Sequence, residues 1–389
     1  MNLQRFRFAL YKSTAKFHKH KAKFRLNAPK PHSKPYFLTS HLPFLHSGQF
    51  SRSLYSGQYP YTALKIGKIP TAHHQLSHTK PKAIVHNFDN FLETYSNKTY
   101  NPTNTISVFL PNHIAGIDVL LNVFGSGGTL VIPKSRNPQD ILCAMQNYKV
   151  EILPTSPTLL RLLLMSEIEQ FDLSALKLVV YGSEKMPDSL LYALSQKMPN
   201  VRFKQSFGTS ETNAIKTKSL PNSDYFKFVN TDYKIIDNEL YLKSKTQTLG
   251  YLNADNSAFD KEGYFATGDL VEILNINGEE YLRILGRTKE VINVGGKKVL
   301  PQEVENVILE LPFIKDCLVY GESNAITGQS VGVKIVENNA ECKNNIKLKK
   351  QIRLFCKDKL APFKIPSKVQ IVENLAITER FKKVRKGTT

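Results

Sequence analysis

The chain has 389 residues, 41% hydrophobic and 22% charged, a balance that excludes a fibrous or wholly disordered protein. Its four cysteines show no close pairing, which excludes a disulfide framework and a Cys-x-x-Cys zinc site. The longest apolar run, around residues 114–132, is interrupted by Asp118 and by glycines, so no membrane-spanning helix is predicted. We therefore expect a soluble protein of a reducing compartment, the cytoplasm.

The net charge of +20 is concentrated in the first 88 residues, which contain no Asp or Glu and 15 of the 53 Lys and Arg residues. We treat residues 1–82 as a basic, atypical N-terminal segment. Three interpretations stay open: an organellar transit peptide, an arm that contacts nucleic acid or an anionic membrane surface, or a segment without a selected function.

From residue 83 onward, short β-branched runs alternate with helical patterns, which predicts an α/β fold whose parallel sheet is covered by helices. Strands are predicted at 106–110, 129–132, 150–153 and 176–181. Helices are predicted at 138–148, 158–168 and 187–196, with Pro138 and Pro187 near first-turn positions.

The pattern then changes to antiparallel hairpins at 233–244 and 270–285, the second turning at Asn277-Gly278. Beyond Arg287 we predict a small α+β unit, with a helix from Pro301 to Leu311, strands near 317–320 and 331–336, and a basic helix at 346–359. The predicted division is a large domain at 83–288 and a small mobile C-terminal domain at 289–389, joined by a hinge.

The sequence FGTSET at residues 207–212 follows a predicted strand. It combines a glycine turn, hydroxyls that can donate to phosphate oxygens, a carboxylate that can hold Mg²⁺, and an aromatic face on which a base can stack. Taken alone, such a cluster is more often an ordinary loop turn. The preceding YGSE at residues 181–184 is, by itself, an ordinary strand end.

A second motif is TGD at residues 267–269, followed by Gly-Arg at 286–287. A carboxylate on a glycine turn can accept two hydrogen bonds from the vicinal hydroxyls of a ribose, and an arginine close by can add a donor. We therefore select Asp269 and Arg287 as candidate ribose-binding residues.

The longest motif is GRTKEVINVGGKKVLPQEVE at residues 286–305. Lys289 lies at the junction between the two predicted domains, where a residue that absorbs a backbone rotation acts as a hinge. Pro301 and Glu303 are explained equally well as helix-start residues, but that explanation does not cover the whole string.

In this order and spacing, the motifs resemble those of the adenylate-forming (AMP-binding) acyl- and aryl-CoA synthetases and adenylation domains, over about residues 80–386. The resemblance implies that Phe207, Gly208, Gly182 and Ser183 bind the adenine. It also implies that Thr209 contacts the α-phosphate, that Glu211 holds Mg²⁺, and that both contribute to catalysis; Asp269 and Arg287 bind the ribose.

The same resemblance implies roles at the small domain and at the acyl pocket. Lys289 is the hinge, and Gly295 lets a pantetheine arm pass close to the backbone. Lys382 is the mobile catalytic lysine, chosen over Lys383, although Phe381 stands where the family has glycine; a solvated basic tail is the alternative. His113 lines the acyl-substrate pocket, unless it is a structural histidine.

The chain departs from the family at the phosphate-binding loop. Family members have a Ser/Thr/Gly-rich loop that ends in Lys-Pro-Lys and cradles phosphates with backbone N–H groups. This sequence keeps Lys80-Pro81-Lys82, and we assign Lys82 to nucleotide binding, but residues 75–78 are QLSH instead of glycines.

The function that the resemblance implies is ATP-dependent activation of a carboxylic acid to an acyl-adenylate. The acyl group is then transferred to the thiol of coenzyme A or of the phosphopantetheine of an acyl carrier protein, with Mg²⁺ as cofactor. The alternative hypothesis is a truncated or catalytically impaired relative that binds at most nucleotide or carrier protein. A third hypothesis is nucleic-acid contact through the basic N-terminus.

Overall fold

A computed structural model describes residues 23–26, 62–64, 82–111, 113–221, 223–338, 345–379 and 381–385. The basic N-terminal segment therefore lies largely outside the described residues, and so does the loop at 75–81. The three interpretations of that segment therefore stay predictions. So does the effect of the QLSH sequence at residues 75–78 on phosphate binding.

The strands are β1 Lys23–Leu26, β2 Thr62–Leu64, β3 Ile84–His86, β4 Asn104–Ile106, β5 Thr129–Ile132, β6 Ile152–Thr155, β7 Leu178–Tyr181, β8 Arg202–Gln205, β9 Phe207–Thr209, β10 Asn213–Ile215, β11 Thr217–Ser219, β12 Phe226–Phe228, β13 Asp232–Ile236, β14 Glu239–Lys243, β15 Gly250–Tyr251, β16 Phe265–Ile276, β17 Glu279–Arg287, β18 Ile292–Val294, β19 Lys297–Val299, β20 Ile314–Asn324, β21 Gly328–Glu337 and β22 Lys368–Ile371. The helices are α1 Phe88–Ser96, α2 Ile114–Ser126, α3 Pro138–Asn147, α4 Pro157–Leu164, α5 Asp188–Lys197, α6 Pro301–Ile308 and α7 Asn345–Lys357. Short 3-10 turns lie at Ile168–Gln170, Thr288–Glu290 and Pro362–Lys364.

The predicted parallel sheet is present, with the strand order β1-β5-β4-β6-β7-β8. A helix connects each successive strand pair from β4 to β8, because parallel neighbours need a crossover connection. The strand predicted at 106–110 is wrong in position: the strand ends at Ile106, and the chain leaves the sheet after Ser107 donates to the carbonyl of Val131 at 2.9 Å.

Capping residues fix where the crossover helices begin. Asn137 accepts a hydrogen bond from the N–H of Asp140 before α3, and Ser156 accepts one from Leu159 before α4; a proline follows each cap. The helix predicted at 158–168 ends earlier, at Leu164, because Glu167 adopts a left-handed backbone (φ 54°) that a helix cannot contain. The apolar faces of α3, α4 and α5 pack with β4–β7 in the largest buried core.

The predicted hairpins belong to an antiparallel sheet with the order β11-β12-β17-β16-β14-β13. The turn at Asn277-Gly278 has positive φ at both residues (52° and 78°), as the two-residue hairpin signal requires. The other hairpin turns at Asp237-Asn238, again with φ positive at both positions (51° and 64°). Two smaller antiparallel sheets are present, β15-β3-β2 and β10-β9, and the first pairs Gly250–Tyr251 with Ile84–Val85 at the start of the large domain.

The C-terminal region forms its own sheet, with the order β19-β18-β21-β20 and β22 paired parallel to β21. Helices α6 and α7 cover it, and their buried residues share one core with the strands from Ile292 onward. The helix predicted to reach Leu311 ends at Ile308. The 3-10 turn Thr288–Glu290 joins this unit to β17, so Lys289 lies between the two cores.

Among the described residues, no helix is both long enough and apolar enough to cross a membrane.

Candidate active site

A cavity of about 300 Å³ lies between the large domain and the C-terminal unit. The loops that follow β6, β7 and β8 open onto it, because the carboxyl ends of parallel strands meet at one edge of the sheet. Six of the residues selected from the sequence line it: Ser183, Phe207, Gly208, Asp269, Arg287 and Lys382.

Asp269 and Arg287 meet through the register of β16 and β17, which places them directly opposite each other. The Arg287 Nε lies 3.0 Å from Asp269 Oδ1, with the carboxylate buried and the guanidinium half exposed. Burial raises the pKa of Asp269, and the positive charges of Arg287 and Lys382 oppose that rise. A carboxylate held in this way keeps acceptor capacity toward the cavity, which suits it to bind hydroxyl groups.

The turn before Asp269 explains the need for Gly268. Its φ of 72° lies in the left-handed region that favours glycine. The hydroxyl of Thr267 donates to the carbonyl of Leu240 at 2.8 Å and accepts from the N–H of Asp269 at 3.0 Å. These two bonds fix the backbone of Asp269 relative to β14 and so the position from which its carboxylate projects.

Phe207 contributes an aromatic side chain to the cavity wall. Most of its ring is buried, stacked near Phe226 (centroid distance 6.2 Å) and edge-on to Phe228 (5.5 Å). Gly208 follows, and a Cβ there would lie 2.7 Å from the carbonyl oxygen of Asn213. Only glycine therefore allows the tight β9–β10 pairing beside the cavity.

Thr209, Glu211 and Lys82 do not line the cavity but form a second group next to it. The Tyr251 hydroxyl donates to Glu211 Oε1 at 2.7 Å, and the Lys82 ammonium lies 4.2 Å from the centre of the Tyr251 ring. Thr209 Oγ1 accepts a hydrogen bond from the N–H of Glu211 at 3.2 Å. Mg²⁺ in nucleotide sites is usually bound by one or two carboxylates and by phosphate oxygens, so an oriented Glu211 fits that cation.

Gly182 has a packing role that the sequence did not indicate. A Cβ there would lie 2.5 Å from Ser206 Oγ and 2.7 Å from the Ser206 carbonyl oxygen, so the residue allows β7 and β8 to approach closely at their ends. Its neighbour Ser183 lines the cavity, whereas Gly182 does not. Next in the chain, Glu184 accepts hydrogen bonds from the hydroxyl (2.7 Å) and the N–H (3.2 Å) of Thr158.

The C-terminal segment brings two lysines and an arginine to the cavity. Lys382 is close enough for its charge to act on the carboxyl groups of Asp269 and Glu184, lowering their pKa values against the raising effect of burial. The adjacent Lys383 makes an ion pair with Asp316 at 2.7 Å and donates to the carbonyl of Cys317 at 2.8 Å.

Several cavity residues escaped the sequence analysis. For Arg161 the sequence did contain a signal of a functional or buried charge: it is the single charged residue in the apolar helix sequence PTLLRLLL. Its Nε lies 3.4 Å from Asp316 Oδ1. Glu290 and Glu305 lie within the motif at 286–305, but nothing in the sequence indicated that both pair with Arg385, which is 80 or more positions away. Glu184 is the last residue of the selected YGSE segment, and Lys185 follows it directly.

Three further selected residues lie away from both the cavity lining and the group around Glu211. His113 precedes α2 as its N-cap without a side-chain capping bond. Gly295 is an exposed residue of the β18–β19 turn, with φ 55°, and its N–H donates to the carbonyl of Thr327 at 3.0 Å. Lys289 is exposed in the interdomain 3-10 turn. Their assigned roles stay predictions.

Comparison with known proteins agrees with this architecture. The model of the AMP-binding enzyme family matches residues 77–252, and the model of the AMP-binding enzyme C-terminal domain matches residues 303–382. The vibriobactin-specific 2,3-dihydroxybenzoate-AMP ligase of Vibrio cholerae is 28% identical over 281 residues, which cover 66% of this chain and 50% of that protein. The 2-succinylbenzoate–CoA ligase of Staphylococcus epidermidis is 28% identical over 296 residues, which cover 72% and 60%.

Solved structures share the fold. An anthranilate CoA ligase in complex with anthranoyl-AMP has a TM-score of 0.66 at 22% identity, covering 80% of this chain and 65% of that chain. The o-succinylbenzoate CoA synthetase of Bacillus subtilis has a TM-score of 0.63 at 22% identity, covering 84% and 67%. The chain spans about half to three-fifths of the length of the curated relatives described above. The predicted family and fold class are confirmed, and the chain belongs to the superfamily of adenylate-forming (AMP-binding) enzymes.

Proposed function

We propose that this chain activates a carboxylic acid with ATP, releasing pyrophosphate, and then transfers the acyl group from the adenylate to the thiol of coenzyme A. The observation that carries the proposal is the buried Asp269 carboxylate, paired with Arg287, in an interdomain cavity that also receives Lys382. The names of the curated relatives, which include AMP and CoA ligases, support the same reaction class.

In the first step, a carboxylate oxygen of the acid attacks the α-phosphorus of ATP, and the bond from that phosphorus to the bridging oxygen breaks. Asp269 accepts hydrogen bonds from the ribose hydroxyls and fixes the nucleotide, while Phe207 and Ser183 lie along the base. Lys382 offsets the negative charge that develops on the α-phosphate oxygens and on the leaving pyrophosphate.

Glu211 would hold Mg²⁺, which would supply charge neutralisation for the phosphates when bound. Tyr251 orients this carboxylate through its hydroxyl, and Thr209 orients the backbone beside it. Lys82, held over the Tyr251 ring, adds a positive charge on the same side.

In the second step, the thiolate of coenzyme A attacks the carbonyl carbon of the adenylate, and AMP leaves with the electrons of the broken C–O bond. We assign the hinge for the change between steps to Lys289, since it lies in the exposed turn between the two cores. We assign Gly295 to the path of the pantetheine arm and His113 to the acyl pocket.

ATP–pyrophosphate exchange tests the first step directly. A panel of aromatic and aliphatic carboxylic acids, including 2,3-dihydroxybenzoate and 2-succinylbenzoate, is offered with ATP and labelled pyrophosphate. We expect exchange with at least one acid and its loss in Asp269→Ala. Absence of exchange with every acid, in protein that unfolds cooperatively in urea, refutes the proposal.

Thioester formation is measured separately with the best acid of that panel. We expect a coenzyme A thioester to accumulate with release of AMP. Transfer to a phosphopantetheinylated carrier protein, with none to coenzyme A, contradicts the proposed acceptor but leaves the first step intact.

A further inference from the structure

The last described part of the chain forms a short antiparallel pairing between residues 376–379 and 381–384, which we call the C-terminal hairpin. Ile377 pairs with Lys383 in an antiparallel bridge, and the N–H of Val384 donates to the carbonyl of Ala376 at 3.0 Å. At the turn, the N–H of Thr378 donates to the carbonyl of Lys382 at 2.8 Å. The position of Lys382 therefore follows directly from where the hairpin docks.

Phe381, at the turn of the hairpin, has φ 53°, a left-handed conformation that is unfavourable for a residue with a bulky side chain. Glycine would adopt this backbone without that cost. The phenyl ring packs against the core of the parallel-sheet domain, and the guanidinium carbon of Arg136 lies 4.5 Å from the ring centre. The contacts of the ring with the large domain thus offset an unfavourable backbone.

Arg136 belongs to the loop between β5 and α3 and contacts two other segments. One guanidinium nitrogen donates to the carbonyl of Val108, in the loop after β4, at 2.9 Å; the other donates to the carbonyl of Glu379 in the hairpin. The hydroxyl of Ser156, after β6, donates to the carbonyl of Phe381 at 3.1 Å. The loops after β5 and β6 therefore hold the hairpin directly, and the loop after β4 supports Arg136.

We propose that Phe381 and Arg136 are positioning residues that dock the C-terminal hairpin on the large domain and thereby set Lys382 in the cavity for the first half-reaction. This inference rests on the proposed function. Neither residue lines the cavity, so each acts through Lys382. Docking of the hairpin holds the small domain in one orientation relative to the large domain. It therefore favours adenylate formation over any step that requires the small domain to rotate.

The first experiment compares the two half-reactions in Phe381→Ala and Arg136→Ala. We expect each variant to slow pyrophosphate exchange about tenfold or more at saturating ATP, as loss of a desolvated cation–π contact implies. Thioester formation from a preformed acyl-adenylate should be unchanged or faster. An unchanged exchange rate, or an equal loss in both half-reactions, overturns the proposal.

Phe363→Ala is the matched control. Phe363 also has a lysine ammonium over its ring, that of Lys297 at 4.8 Å, but both residues belong to the small domain. Its substitution removes a comparable contact without touching the interdomain docking, so the ratio of the two half-reaction rates should stay at the wild-type value. A ratio altered as in Phe381→Ala would assign the effect to general loss of packing and overturn the proposal.

The second experiment needs no activity. The chain contains no tryptophan, so Phe381→Trp places a single tryptophan, which can be excited apart from the tyrosines, at the docked position and keeps an aromatic ring for Arg136. We expect blue-shifted emission protected from acrylamide, a wild-type ratio of half-reactions, and a red shift when Arg136→Ala is added. Emission of a fully exposed indole overturns the docking even if the protein activates no acid, which separates this failure from failure of the proposed function.

Discussion

The guanidinium of Arg385 forms a two-point ion pair with the carboxylate of Glu305, joining the residue that follows the C-terminal hairpin to helix α6. Both side chains are largely buried, and the same carboxylate accepts a hydrogen bond from the N–H of Val319 at 2.8 Å. Arg385 also contacts Glu290, with its Nε 3.2 Å from Oε2. The pair therefore fixes the small-domain side of the cavity.

Replacing Glu305 with Gln should lower the free energy of unfolding by up to about 3–5 kcal/mol, because Arg385 would stay buried with Glu290 as its remaining counter-charge. Urea unfolding followed by circular dichroism measures the change. Glu310→Gln is the matched control: its partner Lys359 and Glu310 itself are both exposed, so a loss of less than about 1 kcal/mol is expected. Equal losses in the two variants would contradict the importance of the buried pair.

The same pair predicts a pH dependence. Burial alone would raise the pKa of Glu305, but Arg385 and Lys383 outweigh burial and hold it below the usual value. Such a group stabilises the fold above its unfolded pKa of about 4.3, and this contribution is lost as the pH falls through the folded-state value. The difference in unfolding free energy between wild type and Glu305→Gln should therefore shrink below about pH 4.3. A difference that stays constant down to pH 3 would disprove the assignment.

Asp269→Asn should weaken nucleotide binding by roughly 10- to 100-fold, because hydrogen bonds to a charged acceptor contribute about 1.5–3 kcal/mol. Arg287→Ala should weaken nucleotide binding less, since the Arg287 guanidinium is half exposed and acts mainly on the orientation of Asp269. Calorimetric titration with AMP measures both constants. A larger loss in Arg287→Ala than in Asp269→Asn would reverse the order of roles proposed for the pair.

Tyr251→Phe removes the hydroxyl that orients Glu211 while keeping the ring beneath Lys82. We expect the Mg²⁺ concentration for half-maximal pyrophosphate exchange to rise about fivefold, as the loss of one net hydrogen bond of about 1 kcal/mol implies. Glu211→Gln should raise it further. If Glu211→Gln leaves the Mg²⁺ dependence unaltered, this carboxylate does not hold the cation.

Gly182→Ala should destabilise the fold by about 1–3 kcal/mol, because the added methyl overlaps the backbone of Ser206 and separates the ends of β7 and β8. Thermal unfolding measures the loss. The adjacent Ser183→Ala is the control; Ser183 is exposed, so little change in stability is expected. A stable Gly182→Ala protein would show that the strand ends can move apart freely.

Local sequence signals predicted much of the fold. The β-branched runs and the proline-led helix starts predicted the parallel sheet with its crossover helices, and Asn277-Gly278 predicted a hairpin turn that has the expected positive φ values. Boundaries were less predictable. The helix predicted to reach Ile168 ends at Leu164, and the left-handed backbone at Glu167 that follows carries no glycine or asparagine to signal it.

The sequence by itself determined the family, because the motifs around Phe207, Asp269 and Lys289 keep a fixed order and spacing. Only the tertiary structure decided which charges meet. Strand register brings Arg287 to Asp269, and the C-terminal hairpin brings Arg385 to Glu305 across 80 positions of the chain. Nor did the sequence indicate that Phe381 lies beneath Arg136. Such contacts depend on the packing of distant segments, and no periodicity or motif spacing in one chain encodes that geometry.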